Sequence, residues 1–215
     1  MYERLVEPLL SGISAGDGTN SIRNDAAISA VATSNVSATG ASQTAIGNPD
    51  SQGTTIADAF AQGIGTGSGA DVVRNSGTIV VNAASDATTS NSADAGSIAG
   101  SANTISNATG TATAYGLSAG DGDDAVQNDG AINVTAKGTG YAFAVADGAN
   151  LTWSGNGQSV ANSEAGASAA GIQAGNGSNQ IINNRVLTVL AQATTVKSLT
   201  TTSRVCTEQH KQECT

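Results

Sequence analysis

The sequence predicts an all-β chain wound as a β-solenoid, and three observations predict it. The first is that one motif recurs four times at nearly constant spacing, and the second is that each copy carries Gly and Asn at turn positions. The third is the composition: aromatic residues make up 3% of the 215 residues and charged residues 12%, whereas Gly contributes 27 residues. A chain with so few large side chains can build its core only from stacked small and β-branched residues.

The repeated motif reads G-[IL]-x-[AT]-G-x-G-x-[DN]-x-[IV]-x-N, with another apolar residue four positions after the Asn. Its copies start 51, 53 and 55 residues apart, at Gly12, Gly63, Gly116 and Gly171. The Ile or Leu opens a short strand, the G-x-G turns a tight corner, and the [IV]-x-N segment is a second short strand that the Asn ends. The turn glycines are Gly16, Gly18, Gly67, Gly69, Gly120, Gly122, Gly175 and Gly177.

The length of the repeat bears on how the chain winds. A repeat of about 53 residues exceeds a single coil of most parallel β-helices, so we expect two or three coils per repeat. The segment from Ser97 to Asn107 carries a weaker echo of the motif. The motif asparagines allow two interpretations, an amide ladder that joins successive coils or separate turn formers. These residues are Asn24, Asn75, Asn128 and Asn183.

The motif also divides the chain. We expect residues 1–11 to form an N-terminal cap or docking segment, 12–193 the solenoid, and 194–215 a polar C-terminal tail. The tail holds Cys206, His210 and Cys214, which are too few for a zinc site, so a disulfide or free thiols are expected there. No segment has the apolar length of a membrane span, and the start does not have the pattern of a signal peptide.

The charge balance excludes several partners. The net charge is −9, and residues 12–190 contain 13 acidic residues against four basic ones. So few cations cannot neutralise a phosphate backbone, so nucleic acid is not an expected partner, and direct membrane insertion is not expected either. Cations, sugars and other proteins remain as partners.

Calcium is the one cofactor that the residues suggest. The third copy places Asp121, Asp123 and Asp124 in a G-x-G-x-D-x-[IV] segment like that of the nonapeptide calcium β-roll, and the second copy places Asp71 there. The first and fourth copies carry Asn at that position, and the copies are too far apart for a tandem roll. The four acids are therefore either calcium ligands or solvated turn residues.

Catalysis is not expected. The only histidine lies in the tail, so a nucleophile in the repeats would have no histidine base. A polysaccharide-processing β-helix enzyme is the alternative, but it would need a cleft lined by acids, aromatics and basic residues. The cluster Tyr141, Phe143 and Trp153 is interpreted as core packing in an expanded coil, with a sugar-stacking patch as the alternative.

At the level of family, the segment YGLSAGDGDDAVQNDGAINVTA resembles the repeats of bacterial surface β-solenoids, namely autotransporter passenger domains and related adhesins. The resemblance covers Gly12 to Leu190. It implies a right-handed parallel β-helix that is exported to the cell surface for adhesion, biofilm or filament formation. We therefore expect an extracellular structural or adhesive protein, acting as a surface stalk or an end-to-end fibre that contacts itself, a surface or carbohydrate.

Overall fold

A computed structural model describes residues 2–4, 9–150 and 156–205, which form strands and turns without a helix. None of these residues belongs to a helix of the length and apolarity that a membrane crossing needs. In chain order the strands are β1 (Tyr2–Arg4), β2 (Leu9–Ser14), β3 (Ser21–Asn24), β4 (Ile28–Ile46), β5 (Asp50–Gly65), β6 (Val72–Asn75), β7 (Ile79–Ala99), β8 (Ala102–Ser118), β9 (Ala125–Asn128), β10 (Ile132–Asn150), β11 (Gly157–Gln173), β12 (Gln180–Asn183) and β13 (Leu187–Val205).

The strands form three sheets in which every neighbouring pair is parallel. Sheet A contains β1, β2, β5, β8 and β11, sheet B contains β3, β6, β9 and β12, and sheet C contains β4, β7, β10 and β13. The chain passes from A to B to C and then starts again, so coil 1 is β2–β4, coil 2 is β5–β7, coil 3 is β8–β10 and coil 4 is β11–β13. The predicted parallel β-solenoid with four repeats is confirmed.

Each repeat forms one coil, and the expectation of two or three coils per repeat is wrong. Ile28 pairs with Ile79, Ile79 with Ile132, and Ile132 with Leu187, so equivalent motif residues stack directly. The reason is strand length, since the strands of sheets A and C reach 17 and 21 residues and use up the repeat. The weaker echo between Ser97 and Asn107 lies in β7 and β8 and forms no coil of its own.

The structure also moves the two predicted boundaries. In the N-terminal segment, β1 pairs in parallel with β5 and so extends sheet A at its edge. At the other end, β13 continues past residue 193 to Val205, in register with β10 as far as Asn150. The Thr-rich run beyond residue 193 has the β-branched side chains that strands favour, and a paired strand needs no motif. Residues 206–215, with both cysteines and the histidine, lie outside the described residues.

The apolar core lies where all three sheets meet. Ile64 and Leu117 of sheet A, Val73 of sheet B, and Ile79 and Ile132 of sheet C are fully buried there. Burying each such side chain contributes about 1.5–3 kcal/mol. Burial where the sheets meet explains why these motif positions carry Ile, Leu or Val in each copy.

Away from that corner, sheets A and C approach each other so closely that mainly small and polar side chains fit between them. Thr55 and Thr89 share a hydrogen bond of 2.6 Å across the gap. The amide of Asn91 donates to the Ile105 carbonyl at 2.8 Å and to the hydroxyl of Ser106 at 3.0 Å. These buried polar groups are paired across the two sheets, which helps to fix the separation and the register of the sheets.

The closest approach leaves no room for a Cβ atom. A Cβ built on Gly110 in sheet A would overlap the carbonyl oxygen of Thr139 in sheet C. We expect Gly110→Ala to lower the free energy of unfolding by about 1–3 kcal/mol, because the two sheets must separate locally. Urea unfolding followed by circular dichroism measures this change.

Gly166→Ala is the matched control, because a Cβ there has its nearest neighbour, a methyl carbon of Thr111, at 3.5 Å. Both glycines lie within sheet A, so intrinsic propensity affects them alike. Equal effects of the two substitutions would contradict the close approach of the sheets.

Candidate functional site

The motif residues come together along the edges that flank sheet B. The G-x-G turns join sheet A to sheet B, and the motif asparagines end the strands of sheet B. Stacking of equivalent residues turns each motif position into a row of four, one from each coil. Because these rows contain most of the candidate residues, they form the candidate site, which we call the turn edge.

The asparagines at the end of sheet B form a continuous amide ladder. In each step the side-chain amide of one Asn donates to the side-chain oxygen of the next at 2.7 Å: Asn24 to Asn75, Asn75 to Asn128, and Asn128 to Asn183. Asn75 and Asn128 are at most 1% exposed. The ladder therefore supplies hydrogen bonds between coils at a place shielded from water, where an unpaired amide would be costly.

The same asparagines also form turns, so the two interpretations of the sequence hold together. The second amide proton of Asn75 goes to the carbonyl of Gly77 at 2.9 Å, and that of Asn128 goes to Gly130 at 2.7 Å. Each amide thus uses one proton within its coil and one between coils. An Asn fits both tasks, since it carries two donors and an acceptor on one short side chain.

A second row runs along the [DN] position of the motif. Three side-chain oxygens in this row accept the main-chain N–H of the equivalent residue in the preceding coil: Asp71 from Asn20, Asp124 from Asp71, and Asn179 from Asp124. The N···O distances are 2.7, 3.0 and 3.0 Å. The row ties the G-x-G turns together as the amide ladder ties the ends of sheet B.

The two acids in this row each leave one oxygen unsatisfied. Asp71 and Asp124 are 1% and 2% exposed, and the Oδ2 atom of each has no hydrogen-bond partner. In the first coil the corresponding atom is the amide nitrogen of Asn20, which donates to the carbonyls of Gly16 and Gly18 at 2.9 Å. An oxygen at this place cannot make those bonds without a proton, so Asp fits the row less well than Asn.

The four predicted calcium ligands divide into two sets. Asp121 and Asp123 are exposed and accept the main-chain N–H groups of Asn176 and Ser178, both at 2.8 Å. Asp71 and Asp124 are buried and belong to the [DN] row described above. Among the described residues no group of three or more His, Cys, Asp or Glu side chains is close enough to hold a metal ion.

The G-x-G glycines meet two separate requirements. Six of the eight have φ between 75° and 144°: Gly16, Gly18, Gly69, Gly120, Gly122 and Gly177. Gly67 and Gly175 are required instead by proximity, since a Cβ on either would overlap a carboxylate oxygen of the preceding coil. Turn chemistry explains the first set, whereas only the stacked coils explain the second.

Comparisons of the chain with protein-family models, curated proteins and solved structures gave no significant match.

A shallow groove lies on the turn edge beside the amide ladder. It is lined by Arg23, Arg74, Asp25, Asp129 and Gln127, among others. The hydroxyl of Ser76, at 2.6 Å, and then the guanidinium of Arg23, at 2.7 Å, hold the pKa of Asp25 below its usual value of 3.8. Asp129 accepts from the amides of Gln127 and Asn184 at 2.8 and 2.7 Å, so both acids of the groove are hydrogen-bonded to their neighbours.

The aromatic residues Tyr141 and Phe143 are placed differently from the sequence interpretation. They are 39% and 42% exposed on the outer face of β10, so the interpretation as core packing is wrong for them. Trp153 lies outside the described residues. Their neighbours in register are Thr88 and Ser90 of β7 and Val196 and Ser198 of β13. The result is an exposed aromatic pair on a hydroxyl-rich face, here called the aromatic face.

The amide ladder makes a prediction that turn formation alone does not. Asn75→Ala removes a buried ladder residue and should lower the free energy of unfolding by about 1–3 kcal/mol. Asn183→Ala should cost clearly less, since Asn183 is exposed and makes one ladder bond in place of two. Both residues make the turn bond to the carbonyl two residues ahead, so equal costs in the monomeric chain would contradict a ladder contribution. Chemical unfolding of the two variants at a concentration where the chain is monomeric measures the difference.

The unsatisfied acids make a second prediction. Asp71→Asn and Asp124→Asn should each raise the free energy of unfolding by about 1–3 kcal/mol at neutral pH, because the new amide can donate to the turn carbonyls. Asp123→Asn is the control, as that acid is exposed and keeps an acceptor oxygen after substitution. Thermal and urea unfolding report the change, and destabilisation by either buried substitution would contradict this account.

Proposed function

We propose that this chain is a non-enzymatic structural and adhesive β-solenoid that acts outside the cell at a bacterial surface, as part of a stalk or an end-to-end fibre. The observation that supports the proposal most is the uninterrupted stacking of four coils, with two rows of side chains bonded along the stack. The repeated Asn and [DN] positions join each coil to the next one. A protein whose repeated residues join successive coils is suited to extension along the stack.

The chemistry of the stack suits an exposed location. Successive coils are joined by main-chain and amide hydrogen bonds, so the described part of the chain is held without a disulfide. The net charge of −9 for the whole chain favours solubility, because repulsion between like charges opposes nonspecific association of the outer faces. The sequence resemblance to surface adhesins points in the same direction.

The aromatic face supports the adhesive part of the proposal. Tyr141 and Phe143 lie two residues apart on one strand and expose about two fifths of their surface. Exposed aromatic rings beside hydroxyl groups suit the apolar faces and hydroxyls of a sugar. On the opposite outer face Phe60 and Tyr115 instead pack edge to face, with their ring centres 5.7 Å apart.

The calcium-binding and polysaccharide-processing alternatives have less support. The acids proposed as calcium ligands are separated into exposed and buried sets, and the exposed Asp121 and Asp123 each accept a main-chain N–H group. A processing enzyme would need two acids across a cleft, whereas Asp25 and Asp129 in the groove beside the ladder are both hydrogen-bonded to their neighbours.

The location is tested on intact cells that produce the chain. Immunogold labelling and mild surface proteolysis should detect it outside the envelope, in the same fraction as other surface proteins. Exclusive recovery from the cell interior would overturn the proposed function.

Adhesion is tested by removing the aromatic face. The double variant Tyr141→Ala/Phe143→Ala should lose most of the binding of the purified chain to immobilised polysaccharides, measured by surface plasmon resonance against a glycan panel. Stacking contributes about 0.5–1.5 kcal/mol per aromatic contact, so a loss of roughly tenfold is expected. Phe60→Ala/Tyr115→Ala is the matched control on the opposite face. If both double variants bind like the unmodified chain, the aromatic face is not adhesive.

A further inference from the structure

The strands of coil 4 form an unpaired edge of the stack among the described residues. Among the described residues β11, β12 and β13 are each paired on one side only, which leaves a row of main-chain donors and acceptors open on the other. Three side chains that point inward there are 37–46% exposed, whereas their partners in coil 3 are at most 2% exposed. The three pairs are Ile181 and Val126, Leu187 and Ile132, and Val189 and Val134.

The strands of coil 1 form the opposite edge, which is also unpaired among the described residues. Sheets B and C end at β3 and β4, and Ile22 and Ile28 are only half-buried, although their partners in coil 2 are fully buried. The edges also match in length, because β3 and β12 have 4 residues each and β4 and β13 have 19 residues each.

From these two ends we infer that the coil-4 edge of one copy receives the coil-1 edge of a second copy, in the register that the coils already use within the chain. This inference rests on the proposed structural function and names its partner. The joint is head to tail, so it propagates along an open fibre and does not close into a ring or a dimer.

The amide ladder has a direction that continues across this joint. Within the chain each Asn donates to the next coil, so Asn183 is the last donor and Asn24 the first acceptor. The [DN] row runs the same way, and the N–H of Asn179 would meet the side-chain oxygen of Asn20 in the second copy. Two copies in a head-to-head arrangement would instead oppose donor to donor.

The same register pairs apolar residues that are otherwise exposed. With Asn183 above Asn24 of the second copy, Ile181 meets Ile22 and Leu187 meets Ile28. On the outer face Leu190 meets Val31, and each of these two is 52% exposed in the single chain. A slip by one residue would reverse every inward and outward side chain, so one register is strongly favoured.

The dimensions of the stack indicate why such a joint matters. Four coils spaced about 4.8 Å apart are roughly 20 Å high, whereas a strand of 19 residues is about 60 Å long. One copy is thus a slab with two large end faces, and the end faces carry the exposed apolar side chains. A second copy in the inferred joint adds four further coils along the stack.

Disulfide trapping tests the register. Two separate chains, Ser29→Cys and Thr188→Cys, each with Cys206→Ser and Cys214→Ser, are mixed and oxidised. In the inferred joint these outward positions are paired neighbours, about 4.8 Å apart, a distance that a disulfide spans. The expected product is a heterodimer of the two chains. Val31→Cys mixed with Thr188→Cys is the control, since a shift of two residues gives about 7–8 Å and should trap at least roughly tenfold less.

Assembly without a cross-link is tested by negative-stain electron microscopy and light scattering of the unmodified chain, in calcium and in EDTA. Fibres that grow with concentration are expected in both. Val189→Lys, which places a charge in the joint, should raise the concentration for assembly more than roughly tenfold. Circular dichroism checks that this variant keeps its fold, and the trapping experiment does not depend on it.

Two results would overturn the inference: a monomer at every concentration with no heterodimer trapped, or disulfides between two copies of the Ser29→Cys chain, which require a head-to-head contact. Either result would exclude the fibre form of the proposed function and leave the surface stalk, which is tested by surface location and adhesion. Conversely, a chain that assembles as inferred but is found only inside cells would overturn the proposed function and leave the joint intact.

Discussion

The main-chain register between coils is the constraint on which the rest of the structure depends. Since each repeat is one coil, every side chain lies about 4.8 Å from its equivalents above and below, so each position must tolerate its own repetition. Asn tolerates repetition because its side-chain amide can donate to the side-chain oxygen of the Asn in the next coil, as Asn75 does to Asn128. The exposed acids Asp17 and Asp121 tolerate it by alternating with uncharged residues: Ser68 donates to Asp17, and Asn176 donates to Asp121. These two carboxylates are thereby kept apart along their row.

The small side chains follow from a second constraint, the thinness of the cross-section. Two long sheets that almost touch at Gly110 and Thr139 cannot hold aromatic residues between them. Ala, Ser and Thr fill the gap, and hydroxyls such as those of Thr55 and Thr89 replace apolar packing with hydrogen bonds. The low aromatic content is therefore a requirement of this architecture. The aromatic side chains of Phe60, Tyr115, Tyr141 and Phe143 lie on the outer faces.

Much of this architecture could be predicted from the repeat. Motif spacing identified the stacked positions, because residues that recur at a constant offset can share a register, and the four asparagines were found in that way. The number of coils could not be obtained, since the inward positions of the long strands are mostly Ala, Ser and Thr, whose polarity differs little from their outward neighbours. The orientation of Tyr141 was missed for the same reason. The difference between Asp71 and Asn20 was visible in the sequence, but its consequence depends on burial, which no motif reports.

The way the coils stack determines the surface that the chain presents. A single copy offers one aromatic face with one Tyr141 and one Phe143, and a single weak contact with a sugar holds poorly. Copies joined in register would repeat that face about every 20 Å along the stack, given four coils per copy. Repetition at fixed spacing converts weak contacts into avidity, because the second contact forms at the high effective concentration that the first one sets. In the proposed function the ladder and the aromatic face would serve one purpose: the hydrogen-bonded stack would fix the spacing, and the spacing would determine how strongly the chain holds a surface.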